Sequence, residues 1–181
     1  MAVEILIADH TRPRKGTRLS TAWLRKKLEF ALAELRLREG AWEITLMGDA
    51  AMKRLHAETL NLATTTDVLT FDMRDKPSHS RSRSRLELVT ALCVDEARRC
   101  AAERGHPLRH ELLLYAIHSL LHVQGYDDVS GEEAARMHAR EDALLVAMGV
   151  GRVYADRQGA AQATGVRSAP GRTASRHRTK G

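Results

Sequence analysis

The 181-residue chain is poor in several things at once. Its two cysteines, Cys93 and Cys100, are too few for a disulfide framework or a thiolate zinc finger, and their scarcity fits a reducing compartment. Aromatic residues make up only 4%, so a core must rest on Leu, Val, Ile, Ala and Met, and little is left for stacking nucleobases. Every apolar run falls well short of the ~18 residues that span a bilayer. The apolar start Val3–Ala8 is too short for a secretory leader. The expectation is a cytoplasmic protein with no membrane partner.

What is present is enough for a folded domain, with 43% hydrophobic and 29% charged residues. The net charge of +6 is unevenly placed. Residues 151–181 hold seven basic residues and one acid, and residues 1–150 balance at 22 of each sign. The chain therefore divides into a folded domain over 1–150 and a basic tail over 151–181. The tail's Ala/Gly/Arg/Thr/Ser mixture lacks periodicity and bulk, so no regular structure is expected in it. Its charge suits sequence-independent attraction to a polyanion.

Within 1–150, Val3–Ala8 reads as a short strand. Ser20 looks like an N-cap, and Leu24, Leu28, Leu32 and Leu35 recur at helical spacing up to Gly40. Trp42, Ile44 and Leu46 alternate with polar residues as a half-buried strand. Asp49 opens a helix to about Leu60, and Val68–Phe71 is a third strand. Residues 74–85 form a polar, turn-rich loop, followed by a strand over Leu86–Val94. Asp95–Arg104 is a short helix closed by Gly105. A second helix begins at Pro107, is apolar on most of its circumference and stops at Gly125. Ser130 and Glu133 have capping-box spacing and open a last helix through Met148. Strands gather early and helices late, which predicts an α+β fold: a small mixed sheet of about four strands packed against helices, with 107–125 as the central buried helix.

That central helix carries His118 and His122, four residues apart and so on one helix face. Two imidazoles so placed can meet one metal ion, as in zinc sites of the HxxxH type. Gly125 lets the chain reverse, and Asp128, six residues after His122, can return as a third ligand, with Asp127 competing for the role. Three protein ligands with one position open is the pattern of a catalytic zinc site. In a chain with nine histidines the pair alone arises by chance about 0.4 times, but a Gly three residues on and an Asp or His six residues on lower that to roughly 0.003. The bland alternative is two satisfied core histidines. A zincin-like metallohydrolase would carry Glu directly after the first His, and Ser119 stands there. Two His and one carboxylate also match a non-haem iron triad. His106, His110 and His138 are read as structural or as lying outside the ligand set, and the two cysteines as small buried apolar groups.

The segment His118–Asp128, HSLLHVQGYDD, resembles the HGxLHLxGYDH signature of the YbeY family of bacterial endoribonucleases. Thr66–Phe71 is similar to that family's TDVLSF strand. Leu92–Ala97 resembles its strand-to-helix passage, and Gly105–Leu108 with His110–Leu112 its approach to the metal helix. The element order agrees from about residue 3 to 150. The resemblance implies a zinc-dependent endoribonuclease that cuts single-stranded RNA. It would act in rRNA (16S 3′-end) maturation and ribosome quality control, with rRNA and ribosomal particles rather than DNA as partners. It implies one Zn2+ per chain on three histidines, here His118, His122 and, at the third place, Asp128. Two further departures stand at Leu88-Val89, where the family has Gly-Asp, and over Leu60–Thr65, where the family's Arg has no match. Thr66 and Asp67 are expected to line the groove beside the metal, and Arg81, Arg83 and Arg85 to offer positive charge to RNA. The alternative is a zinc-binding ribosome-associated factor with little catalysis.

Overall fold

A computed structural model of the chain describes residues 2–11, 19–74 and 84–153. In chain order the elements are β1 (Glu4–Asp9), α1 (Thr21–Glu34), β2 (Glu39–Met47), α2 (Asp49–Leu60), β3 (Val68–Asp72), β4 (Arg85–Cys93), α3 (Val94–Arg104), α4 (Leu108–Val123) and α5 (Gly131–Ala147). The sheet order is β1-β2-β4-β3. β1 and β4 flank β2 in parallel, and β3 runs antiparallel to β4. This is the mixed four-stranded α+β arrangement expected from the sequence. No helix among the described residues is long and apolar enough to cross a membrane.

Alternation along the strands sets the two faces. Trp42, Ile44 and Leu46 of β2 and Leu86, Leu88 and Leu92 of β4 join the main core with residues of α1, α3, α4 and α5. Ala91 and Cys93 point the other way and meet Met52 of α2 and Leu69 of β3. Buried Cys93 is more than a small apolar group: its thiol donates to Asp49 Oδ1 at 3.2 Å, and burial pushes its pKa up to about 11.

Helix α4 is the centre of the main layer, with ten of its sixteen residues buried. Each fully buried leucine side chain there is worth roughly 1.5–3 kcal/mol relative to exposure. At its N-terminal end the fully buried Glu111 meets Arg104 and lies 2.9 Å from His106 Nε2, while His110 stacks on Trp23. Both histidines therefore have structural partners.

A chain of buried polar groups pins α4 to the sheet. Trp42 Nε1 donates to Thr90 Oγ1 at 2.9 Å, Thr90 and Ser119 share a hydrogen bond at 2.9 Å, and Thr70 donates to Ser119 at 3.0 Å. Ser119 is thus engaged by β3 and β4 together.

One boundary departs from the sequence reading. The leucine spacing predicts a helix up to Gly40, whereas α1 ends at Glu34 and Arg36 takes a left-handed conformation at φ 57°. Gly40 lies inside β2 at φ +110°, where a Cβ would stand 1.8 Å from the Leu86 carbonyl oxygen. This glycine serves a close approach between strands, a non-local cause that helical periodicity does not register. Val153 is 4% exposed and packs on the core. The rest of the basic tail, from residue 154, lies outside the described residues, as do residues 75–83 of the polar loop.

Replacing Ser119 with Ala leaves the hydroxyls of buried Thr90 and half-buried Thr70 without their shared partner. A loss of ~1–3 kcal/mol is expected in urea unfolding monitored by circular dichroism.

Candidate metal centre

The last turn of α4 opens a gap in its buried surface. His118 and His122 are half-buried among fully buried leucines, and their rings meet edge to face with centroids 4.5 Å apart. Gly125, at φ +90°, turns the chain out of the helix. The Gly125 and Tyr126 amides donate back to the His122 and Leu121 carbonyls, and the loop carries Asp128 towards the rings. One ligand atom each from His118, His122 and Asp128 lies within 4.8 Å of the others, the one such three-donor group among the described residues.

The far nitrogens of the two rings determine what the near ones do. His118 Nδ1 lies 2.7 Å from Oε1 of Glu141, and His122 Nδ1 lies 3.2 Å from the Tyr126 carbonyl oxygen. Both partners accept, so both Nδ1 atoms carry the proton and both Nε2 atoms present lone pairs. Those two Nε2 atoms are 3.0 Å apart. Asp128 straddles them, with Oδ2 at 3.7 Å from His118 Nε2 and Oδ1 at 3.7 Å from His122 Nε2. A tetrahedral ion with N and O ligands at ~2.0–2.2 Å needs ligand atoms roughly 3.3–3.5 Å apart. The observed spacings bracket that value, so the donor set fits a divalent cation.

Electrostatics agree. Burial disfavours a charged His118, but the hydrogen bond and charge of Glu141, with Asp67 and Asp128 behind, carry its pKa above the ordinary histidine value. For His122, burial and then the charge of His118 carry the pKa below it, against the opposing pull of Asp128.

Asp127 does not compete for the third position. It is exposed, and its Oδ1 accepts the Asp128 amide at 2.8 Å, which braces the loop. Asp67 acts electrostatically on both His118 and Tyr115, so it flanks α4. Its Oδ1 accepts from the Val68 amide at 3.0 Å and from Thr66 Oγ1 at 3.1 Å. Arg85 is exposed at the start of β4 and ion-paired with Glu87 at 2.9 Å. Arg81 and Arg83 lie outside the described residues. The Ser119 hydroxyl, at the position of a zincin's general base, is bound to Thr70 and Thr90, so that alternative lacks its base. Half-buried His138 stands on α5 outside the three-donor group.

Sequence reasoning missed two residues. Glu141, fully buried on α5, lies on the buried stripe with Met137, Leu144 and Leu145. A charged residue on an apolar stripe was the available signal. Arg74, just after β3, pairs with Asp72 at 2.5 Å and donates to the Val123 carbonyl at 2.6 Å, holding the open end of α4 beside the ligand loop.

A family model described as Endoribonuclease YbeY matches residues 7–149. The Endoribonuclease YbeY of Moorella thermoacetica is 35% identical over 119 residues, covering 63% of this chain and 76% of the relative. That of Mycolicibacterium paratuberculosis is 34% identical over 152 residues, covering 79% and 86%. The solution structure of a Thermotoga maritima protein matches with a TM-score of 0.51 at 21% identity, over 81% of this chain and 91% of that one, which is a likeness of fold.

Arg74→Ala removes the clamp on Val123. A loss of roughly 1 kcal/mol is expected, since the group is partly exposed. Amide hydrogen exchange should quicken at residues 124–126 while the α1 amides stay protected.

Proposed function

The chain belongs to the Endoribonuclease YbeY family, and from that premise we propose that it is a metal-dependent endoribonuclease that hydrolyses phosphodiester bonds in single-stranded RNA. The finer reading is maturation of rRNA at the 16S 3′ end and ribosome quality control in the cytoplasm, on ribosomal particles. The observation that carries it is the convergence of His118, His122 and Asp128 with both Nε2 lone pairs turned inward.

His118, His122 and Asp128 are the ligands proposed for one Zn2+. Zinc held there supplies Lewis acidity to a phosphate oxygen and to water. The chain's own residues do the rest. Glu141 and the Tyr126 carbonyl aim the rings, the Asp127 carboxylate braces the loop amide that precedes the Asp128 side chain, and Asp67 and Thr66 border the groove beside α4. The carboxylate at the third position lowers the net positive charge of the centre relative to three imidazoles. Positive charge for the RNA backbone is assigned to Arg85, to Arg81 and Arg83, and to the basic tail over 151–181 beyond the folded domain over 1–150. A zinc-binding ribosome-associated factor is the competing reading, favoured by the stretch Leu60–Thr65, which contains no arginine.

The test uses purified wild type and His122→Ala with structured rRNA fragments, with and without chelator, and metal content measured in parallel. Cleavage by the wild type that disappears in the variant and on chelation is the expected result. Metal bound with no cleavage supports the ribosome-associated factor, and equal cleavage in every sample defeats the metal mechanism. Asp128→His should hold or raise metal content, and a loss of metal would refute the third-ligand assignment.

A further inference from the structure

A buried carboxylate without a compensating charge network is an expensive thing to keep. Glu141 is 0% exposed, sits among the apolar residues Met137, Leu144 and Leu145 of α5, and has one oxygen with no hydrogen-bond partner among the described residues. Its other oxygen lies 2.7 Å from His118 Nδ1. His118 and Glu141 are 23 residues apart and on different helices, so this contact joins α5 to the ligand helix α4. The two ligand rings are anchored unequally. His122 leans on a neutral carbonyl at 3.2 Å, supplied by the loop that also carries Asp128. His118 leans on an ionisable group in the protein interior, supplied by a separate element.

We propose that Glu141 is the positioning residue of the metal centre: its carboxylate fixes the Nδ1–H tautomer and the ring orientation of His118, so that Nε2 faces His122 and Asp128 before any ion arrives. This rests on the reading of His118 as a ligand and adds α5 to the machinery of the site. Hydrogen bonding of a ligand imidazole to a carboxylate raises its donor strength, and loss of such a partner typically lowers metal affinity by about 10–100-fold. A leucine at 141 would suit the apolar stripe. That a glutamate stands there is accounted for by His118, the one hydrogen-bond and ion-pair partner of its side chain among the described residues.

The test uses the full chain as wild type, Glu141→Leu, Glu141→Gln and Leu145→Ala. Leu145 is fully buried on the same helix and outside the ligand group, so its truncation reports the effect of loosening α5 alone. Two readouts are taken: Zn2+ affinity by competition with a chromophoric chelator, and the ring tautomer of His118 by 15N NMR in ion-free protein. The expected result is a 10–100-fold weaker Zn2+ affinity in Glu141→Leu, with His118 losing its single Nδ1–H tautomer. In Glu141→Gln, whose amide oxygen accepts the same hydrogen bond, part of the affinity and the tautomer return. Leu145→Ala lowers the melting temperature with its tautomer intact. Wild-type affinity and tautomer in both Glu141 variants would overturn the proposal, as would equal affinity losses in Leu145→Ala and Glu141→Leu. If Glu141→Leu fails to fold, Glu141→Gln decides: a Zn2+ affinity below that of the wild type, with Leu145→Ala keeping wild-type affinity, supports the role of the carboxylate, and wild-type affinity with an unchanged tautomer overturns it. The tautomer readout needs neither metal nor RNA, so a failure of the nuclease reading leaves this result interpretable.

Discussion

Two imidazole nitrogens that both present lone pairs, 3.0 Å apart and faced by a carboxylate, form an arrangement that wants positive charge between them. Everything around the open end of α4 serves to keep it so. The protons sit on the outer nitrogens because Glu141 and the Tyr126 carbonyl accept there. The loop reverses at Gly125 because a positive φ is available to glycine. Asp128 arrives because Asp127 braces the loop amide in front of it. Remove the facing lone pairs and these features become unrelated details of one loop and two helices.

The sheet and helices supply the depth that makes this arrangement effective. α4 is buried over its middle turns; it meets solvent in its first turn, at Arg109, and again at the end where the two rings stand half-buried. A partly water-excluded setting strengthens the attraction between a cation and the nearby carboxylates of Asp128, Glu141 and Asp67. The same setting makes each of those carboxylates costly without a partner: Glu141 meets His118, Asp67 accepts from Thr66 and the Val68 amide, and Asp128 faces both rings.

The convergence of His118, His122 and Asp128 was legible in the sequence because all three residues lie within eleven positions on a helix and the turn that follows it, where spacing translates directly into geometry. The capping box at Ser130 was legible for the same reason: the Ser130 hydroxyl oxygen accepts the Glu133 amide at 3.2 Å, as the local pattern requires. Gly40 was misread because its task is set by Leu86, far along the chain on a neighbouring strand. Glu141 was passed over because its partner is on another helix, and a lone acid in an amphipathic helix reads by default as solvated. Ser119 could be denied a catalytic role from its identity, but its attachment to Thr70 and Thr90 follows from sheet register, which no single-sequence pattern encodes.

The polar chain from Trp42 through Thr90 to Ser119 and Thr70 has a kinetic meaning for the centre one residue away. A slip of α4 against the sheet would break the bonds from the buried Ser119 hydroxyl to Thr70 and Thr90 together, which favours one seat for the helix. The entropy lost in gathering His118 and His122 is therefore given up when the chain folds, and an arriving ion meets a template already in place. For the proposed metal centre, the slow step expected in capture is the cation shedding its own water, with little chain rearrangement to add to it.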